Sequence, residues 1–219
     1  MMDFHIDISG QLDAASALHY AALAGLRFAG IILPMDGTDF ARMASLAAQV
    51  RRFSLYANVE AWAGVELRHI PPALLPEAVK EAREAGASLV LVHGETLGDQ
   101  VEQGTNFAAV EAGADILAHP GLIDDEAAAY AAEKGVALEF SACPRHAMTN
   151  AHVADVALRH GCALVRGSSA AQAKDIVSRA YWPYIIKGAD VFGKDENGSR
   201  LVTLLRESEE KMVRKLMLR

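Results

Sequence analysis

Ionisable side chains recur where short apolar runs of this sequence end, and their types suit a divalent metal ion. His5 and Asp7 are two residues apart in the first run, so in a strand they lie on the same face. Glu66 ends a later run, and His93 and His119 each follow one. Imidazole and carboxylate groups are common ligands of zinc, manganese and iron. The alternative for each residue taken alone is structural, for example a histidine oriented by a neighbouring carboxylate.

Other candidate residues have less specific patterns. Cys143 and His146, in ACPRHAMTN, have the residue types of a thiolate nucleophile and its base, but no third group that would orient the base is evident. Arg145 and Arg166 are predicted at the same ends of strands, where they would either bind an anionic group of a substrate or pair with nearby carboxylates. Glu139 lies within another predicted strand.

A repeated pattern predicts the elements that position these residues. Ala-rich stretches end in a glycine that is followed at once by a short apolar run, at Gly25, Gly86, Gly113, Gly135 and Gly161. Glycine is favoured just past the last turn of a helix because that position often takes the left-handed conformation, so each glycine marks a helix that leads into a strand. The predicted strands are Phe4–Ile8, Phe28–Leu33, one within Ala57–Leu67, Leu89–Val92, Ile116–Ala118, Ala137–Phe140 and Ala163–Val165.

Helices are predicted between the strands, and the alternation indicates a parallel α/β fold. They include Ala73–Ala85, Asp124–Lys134, Asn150–His160 and Ser169–Tyr181. The sequence has no Gly-rich phosphate loop after the first strand, and its polar residues recur at the ends of many strands. Both observations favour a TIM-like barrel over an open doubly wound sheet, because barrel enzymes collect their site residues from several strand ends.

The 219 residues predict one domain, 1–219, in which a barrel of about 1–181 is followed by a C-terminal helical extension of about 182–219. The end of the extension, RLVTLLRESEEKMVRKLMLR, has the spacing of an amphipathic helix. Its apolar side is expected to cover the barrel or, as the alternative, a second copy of the chain in a homo-oligomer. That side consists of Leu201, Leu204, Leu205, Met212 and Leu216.

Composition and charge narrow the class of partner. The net charge of −7, from 21 basic and 28 acidic residues, argues against a nucleic-acid partner and suits the metabolism of small molecules. Two cysteines make no disulfide framework, and the N-terminus lacks the basic and apolar regions of a signal peptide. No apolar run approaches the roughly 20 residues of a membrane span. We therefore expect a cytoplasmic protein without a membrane anchor.

The order of these residues resembles the polymerase and histidinol phosphatase (PHP) superfamily, and more narrowly its histidinol-phosphatase-like branch. The resemblance extends from DFHID through GVEL, VHGET, AGADILAHPGLI and LEFSA to VRGSS, and is most specific in VHGETLGDQVEQGTNFAAVEAGADILAHPGLI. It implies a distorted (β/α)7 barrel whose mouth binds two or three zinc, manganese or iron ions and hydrolyses phosphoesters. His5, Asp7, Glu66, His93 and His119 would bind the metal, with Glu66, His93 and His119 also catalytic and Arg145 and Arg166 contacting substrate.

The sequence departs from the family at three places. The second histidine of the opening His-x-His pair is replaced by Asp7, Leu33 and Pro34 stand where the family has an acid and a histidine, and GSSAA replaces the closing Asp-x-His. The remaining ligands suffice for one or two ions, not three. The sequence therefore predicts a weakly active metal-dependent phosphoesterase acting on a phosphorylated small molecule. The alternative is an inactive, metal-free barrel for binding or assembly, as in a ribonuclease P protein subunit that resembles this superfamily.

Overall fold

Seven parallel strands run in chain order around a nearly closed barrel. The computed structural model describes residues 1–9, 11–191, 193–195 and 198–219, and residues 10, 192, 196 and 197 lie outside that description. The strands are β1 (Met2–Asp7), β2 (Phe28–Asp36), β3 (Glu60–Arg68), β4 (Leu89–His93), β5 (Ile116–Ala118), β6 (Ala137–Ser141) and β7 (Leu164–Gly167). The first and last strands meet at a parallel bridge between Ile6 and Ala170, where Asp7 N–H donates to Ala170 O at 2.9 Å. The predicted TIM-like barrel is confirmed.

Helices connect the strands as the glycine pattern predicts. They are α1 (Ala14–Leu23), α2 (Met43–Ala57), α3 (Leu75–Glu84), α4 (Thr105–Glu111), α5 (Asp125–Lys134), α6 (Asn150–His160), α7 (Trp182–Ala189) and α8 (Arg200–Leu216). Short 3-10 turns cover Pro72–Leu74, Ala147–Thr149 and Ala173–Asp175, and β8 (Lys194–Asp195) pairs antiparallel with β9 (Gly198–Ser199). The five marker glycines have φ values between 69° and 100°, which is the left-handed conformation that favours glycine.

The helix predicted over Ser169–Tyr181 is wrong. Ser169 has a φ of 49°, which is incompatible with a right-handed helix, and the next residue, Ala170, forms the bridge that closes the barrel. Farther on, Arg179 N–H donates to Ala24 O at 2.8 Å, so the segment lies against the end of α1. A 3-10 turn at Ala173–Asp175 is its regular part, and the helix begins at Trp182.

An apolar layer fills the inside of the barrel beneath the polar strand ends. It consists of Phe4, Ile32, Trp62, Leu89, Leu91, Ile116, Ala118, Ala137 and Val165, together with Met212, Val213 and Leu216 of α8. Because side chains alternate along a strand, Glu66, His93 and Glu139 lie on the inner face, beyond Trp62, Leu91 and Ala137 of the same strands. The alternation therefore aims these three polar side chains into the barrel at the carboxyl ends of β3, β4 and β6.

An irregularity in β1 brings His5 to the same interior. The register of β1 on β2 shifts between Asp3 and Ile6, as in a β-bulge. Phe4 packs in the inner apolar layer, and the side chain of His5, the next residue, meets Glu66 of β3 and Glu139 of β6. The bulge thus lets two consecutive residues face the inside of the barrel.

Helix α8 closes the opposite, amino-terminal end of the barrel. Its buried apolar residues include Leu201, Leu205, Met212 and Leu216, so the prediction that its apolar side covers the barrel is confirmed. Arg219 after the helix donates to Ser88 O and Asp115, which immediately precede β4 and β5. Within the described ranges, no helix combines the length and the apolar character needed to cross a bilayer.

Candidate metal centre

Four side chains from the ends of three strands converge at the carboxyl mouth of the barrel. His5 Nε2 lies 3.2 Å from Asp7 Oδ1 and 3.6 Å from Glu66 Oε2. His119 Nε2 lies 3.8 Å from Glu66 Oε1. All four residues are buried, and His5, Glu66 and His119 form a group whose ligand atoms are mutually close enough to hold one metal ion. The structure thus brings together four of the five predicted metal ligands directly.

Glu139 fixes the two histidine rings of this group from below. Its Oε2 lies 2.8 Å from His5 Nδ1, and its Oε1 lies 3.3 Å from His119 Nδ1. Because a carboxylate accepts hydrogen bonds, His5 Nδ1 carries a hydrogen, and the Nε2 atoms of both rings face Glu66. A carboxylate that orients metal-binding imidazoles in this way is typical of metal sites.

Gly167 makes room for this arrangement. A Cβ atom at position 167 would lie 2.6 Å from Glu139 Cδ and 2.9 Å from His5 Cβ. Side chains of any other type would therefore displace Glu139, His5 or both. The glycine of VRGSS is a packing requirement of the site and not only of the strand.

The electrostatics of the group demand a cation among its acceptors. Burial lowers the pKa of His5, but Glu139, Asp7 and Glu66 outweigh it and hold that pKa well above its usual value. Burial raises the pKa of Glu66, yet the neighbouring His5 and His93 bring it well below the usual range. In the metal-free protein a proton on His5 therefore balances the carboxylates. A divalent metal would take the place of that proton, because metal ligands bind in their deprotonated form.

The protonation state and the backbone conformation of His119 suit a neutral metal ligand. Burial and the nearby His5 lower its pKa well below the usual value, so its ring is neutral. Its backbone has a φ of 50°, which is rare for a residue other than glycine, immediately before Pro120. Such local strain concentrates at functional sites because the surrounding structure must impose it. Its ring stacks on His146 at a centroid distance of 3.8 Å.

His93 joins the group through Glu66 and not directly. Its Nδ1 lies 2.8 Å from Glu66 Oε1, while its Nε2 points toward Asp99 Oδ2 at 3.5 Å. Arg68 Nε lies 3.4 Å from Asp36 Oδ1 and 4.0 Å from Glu66 Oε2, so its contact with Glu66 is the longer of the two.

The two predicted substrate arginines lie in different places. Arg145 is at the mouth, where it donates to Gly98 O and pairs with Asp99. Arg166 does not line the mouth: its guanidinium pairs with Glu209 of α8 and lies over the Trp182 ring. The expectation for Arg166 fails because consecutive residues of a strand point to opposite faces, and its neighbour Val165 takes the inner face.

The cysteine alternative does not gain support from the geometry. Burial raises the pKa of Cys143, which opposes thiolate formation. His146 points elsewhere, toward Thr96 and Asp99. Cys162 is buried and its Sγ donates to Ala128 O, so it belongs to the core.

The donor set of the mouth fits a divalent metal. Two imidazole nitrogens and carboxylate oxygens from Asp7 and Glu66 are a common combination for zinc, manganese or iron. Among the described residues, His5 Nε2 and Asp7 Oδ1 are buried without a hydrogen-bond partner, although they face each other. Buried polar atoms normally have partners, and a shared cation, either the proton on His5 or a metal ion in its place, would satisfy both. Ser169 Oγ donates to the same carboxylate and lies 3.4 Å from Asp7 Oδ2.

Glu139 and Asp99 are the residues whose roles the sequence did not reveal. Glu139 sits mid-strand in LEFSA, between apolar residues, and a lone charge in a buried strand is the signal that could have marked it. Asp99 lies in the polar loop after β4, where nothing distinguishes it from a solvent-exposed residue.

Comparisons with known proteins establish the fold but no family. No protein-family profile matches this chain. It is 36% identical over 133 residues to an uncharacterized protein of Methanocaldococcus jannaschii, which covers 60% of this chain, and it spans 61% of that relative's length.

Solved structures with the same fold have little sequence in common with it. A chain in the structure of archaeal ribonuclease P with mature tRNA has a TM-score of 0.68 at 17% identity, covering 97% of this chain and 89% of that one. An amidohydrolase has a TM-score of 0.60 at 11% identity (98% and 74%), and a Xaa-Pro dipeptidase with bound methionine 0.56 at 14% (99% and 75%). At these identities the likeness concerns the barrel alone.

Proposed function

We propose that the protein is a metal-dependent hydrolase that cleaves a phosphoester bond in a phosphorylated small molecule. The observation that carries the proposal is the approach of three buried atoms that can bind a metal: His5 Nε2 lies 3.2 Å from Asp7 Oδ1 and 3.6 Å from Glu66 Oε2. The resemblance to the PHP superfamily supplies the phosphoester part, and the presence of hydrolases among proteins of the same fold is consistent with it.

The roles of the residues follow from their positions. His5, Asp7, Glu66 and His119 would hold the ion, and Glu139 would keep both imidazoles turned toward it. A bound divalent ion supplies a nucleophilic water at neutral pH and stabilises the charge that develops on the phosphoryl oxygens. Arg145, whose side chain is 62% exposed, can offer its free guanidinium face to an anionic substrate while it stays paired with Asp99.

The substitutions relative to the superfamily limit the expected rate. Leu33, Pro34 and Ala171 offer no metal-binding atom, and Ser169 offers a hydroxyl where the family has a carboxylate. Loss of one group that stabilises an oxyanion typically costs about 10²–10³ in rate. We therefore expect turnover well below the median of about 10 s⁻¹ for enzymes.

A barrel that binds or assembles without catalysis is the second candidate. The observation in its favour is the similar fold of a chain from archaeal ribonuclease P. The net charge of −7 opposes direct binding to RNA, so a protein or small-molecule ligand fits this candidate better.

Elemental analysis and a substrate screen separate the candidates. The purified protein should contain near-stoichiometric zinc, manganese or iron, and should hydrolyse some phosphomonoester or phosphodiester when these metals are added. Glu66→Gln should abolish both properties, whereas Glu60→Gln, at an exposed position of the same strand, should leave both unchanged. Absence of metal after growth in metal-rich medium would contradict the proposal. Metal without hydrolysis of any phosphoester would contradict its choice of substrate.

A further inference from the structure

Large apolar side chains are exposed on three consecutive loops along one side of the carboxyl mouth. Leu97 follows β4, Leu122 follows β5 and Met148 follows β6, and they are 57%, 59% and 65% exposed. Leu122 lies only three positions after His119, a candidate ligand of the metal centre. Single exposed apolar residues are ordinary, but a cluster of them beside a polar site is typical of a groove that binds a ligand.

Two of these residues, Leu97 and Leu122, line one groove of about 290 Å³. Phe107 of α4 forms another part of its wall, and the Phe107 ring stacks on Tyr130 of α5 at a centroid distance of 4.9 Å. Ile123, which is buried, also lines the groove. The volume is at the lower end of the range for ligand pockets, so the groove suits one small organic group.

The groove adjoins the candidate metal centre across the loop that follows β4. Thr96 Oγ1 of this loop lies 2.7 Å from His146 Nδ1, and the His146 ring stacks on His119 at a centroid distance of 3.8 Å. Thr96 is buried on the side of the loop that faces the centre, whereas Leu97, the next residue, is exposed and lines the groove. A molecule whose phosphate is held at the centre can therefore extend its organic part over Leu97 into the groove.

The charge of the groove limits what that organic part can be. Glu95, Asp124 and Glu126 line the groove, and among the described residues no lysine, arginine or histidine does. Glu95 and Asp124 accept hydrogen bonds from backbone N–H groups at the start of α4 and α5, whereas Glu126 is exposed. A second anionic group on the ligand would be repelled by these carboxylates, and an uncharged group would not.

We propose that the substrate is a phosphomonoester whose organic part is apolar and uncharged, and that this part binds in the groove formed by Leu97, Phe107 and Leu122. The inference rests on the proposed function for the phosphate end and adds the chemical class of the other end. Continuity with the metal centre favours a substrate group over a partner protein as the occupant. Sugar phosphates and nucleotides fit poorly, because their hydroxyl groups would lose hydration against apolar side chains and further phosphates would meet carboxylates.

Binding of phosphonates tests the groove without reference to turnover, because their carbon–phosphorus bond is not a phosphoester. The full chain is loaded with Zn²⁺, or with Mn²⁺ if zinc is not retained. Its affinities for methylphosphonate, hexylphosphonate and 5-carboxypentylphosphonate are measured by isothermal titration calorimetry. Hexylphosphonate should bind about tenfold more tightly than methylphosphonate, which is the contribution of roughly two buried methylene groups. The carboxylate of 5-carboxypentylphosphonate should cancel this gain.

Substitutions in the groove should remove the preference. In Leu97→Ser/Leu122→Ser, the affinity for hexylphosphonate should fall to that for methylphosphonate, which should itself not change. Leu23→Ser/Leu55→Ser is the matched control, because these exposed leucines lie near the C-terminal ends of α1 and α2, and it should keep the tenfold preference. Glu126→Gln should raise the affinity for 5-carboxypentylphosphonate and leave the other two affinities unchanged.

The outcomes distinguish this inference from the proposed function. Equal affinities for the methyl and hexyl compounds, no measurable binding of hexylphosphonate, or a preference that survives Leu97→Ser/Leu122→Ser would overturn the substrate class. Unchanged binding of hexylphosphonate to the metal-free chain would also overturn it. Concentration-dependent association of the wild type that Leu97→Ser/Leu122→Ser abolishes would assign the groove to a second copy instead. Bound metal and hydrolysis of phosphoesters would leave the proposed function intact in each case, whereas a chain without metal overturns both.

Discussion

The barrel has buried carboxylates at both ends, but the partners of these carboxylates differ between the two ends. At the amino end, Asp115 is saturated: it accepts from Val90 N–H and pairs with Arg83, Lys215 and Arg219 at 2.8–3.0 Å. At the carboxyl mouth, atoms of buried polar groups, Asp7 Oδ1 and Glu139 Oε1 among them, have no hydrogen-bond partner in the described part of the chain.

A buried carboxylate whose cationic partners all come from the protein has a structural role, whereas buried carboxylates that exceed their cationic partners are suited to bind a cation. At the amino end the protein supplies every cation itself, through α3, α8 and the C-terminus, so Asp115 can only stabilise the closure of the barrel. At the mouth, Asp7, Glu66 and Glu139 outnumber the single protonated imidazole of His5. Excess buried negative charge is unfavourable to folding, and it is retained where an added cation completes the group.

The largest effect should follow from removal of the saturated carboxylate. Asp115→Ala leaves three cationic side chains close together without their shared acceptor and deprives Val90 N–H of its partner. We expect the free energy of unfolding to fall by about 3 kcal/mol, in the range for breaking a buried ion pair, with metal content unchanged. Chemical denaturation and elemental analysis measure the two properties. A loss below about 1 kcal/mol would mean that the cluster is no stronger than an exposed pair.

Substitutions at the mouth should have the opposite effect to Asp115→Ala: they should lower metal affinity and leave the fold intact. In Glu66→Gln and His119→Ala, metal affinity should fall by more than the roughly 100-fold that an outer-shell partner contributes. The metal-free protein should keep its fold, because the amide in Glu66→Gln fills the same volume and its oxygen can still accept the hydrogen bond from His93 Nδ1. Melting temperature and bound metal are measured together, with Glu60→Gln and His19→Ala as matched controls. If the mouth is instead a metal-free scaffold, His119→Ala will destabilise the protein by about 1–3 kcal/mol without any change in metal content.

Glu139→Gln should have a smaller effect on the same property. The amide still fills the space beside Gly167, but it no longer requires hydrogen on His5 Nδ1 and no longer places a negative charge beside His119 Nδ1. Metal affinity should fall by about 10–100-fold, as for other partners that orient ligands. Competition with a chelator gives the affinity. A loss as large as that in Glu66→Gln would show that Glu139 is itself a ligand.

The smallest expected effect is the loss, at acid pH, of the stability that Asp115 contributes at the amino end. Burial raises the pKa of Asp115, but Arg219, Arg83 and Lys215 outweigh it and bring that pKa below its usual value. A carboxylate with a lowered folded-state pKa stabilises the protein above its unfolded pKa of about 3.9, and this contribution is lost as the pH falls toward the folded value. The stability difference between wild type and Asp115→Ala should be constant above about pH 5 and shrink below about pH 4. Urea unfolding across this range measures it, and a difference that persists at low pH would contradict the ion-pair account.

The sequence by itself determined which segments form strands, the order of the strands along the chain and the types of side chain at the strand ends. Gly135 and Gly161 indicate where β6 and β7 begin. The residue after the last turn of a helix often has the left-handed conformation, which glycine adopts most easily. His5, Asp7, Glu66 and His119 were identifiable because each ends or follows an apolar run, and parallel strands bring such ends together.

Only the tertiary structure decided how those side chains are oriented and paired. His5 and Glu139 are 134 positions apart, so no local pattern connects them, yet that contact sets which ring nitrogen is free. The same holds for Arg166, which pairs with Glu209 of α8 instead of facing the mouth, and for Asp99, whose polar loop resembles any other. Backbone conformation depends largely on neighbouring residues, whereas the protonation and partner of a buried charge depend on every element packed around it.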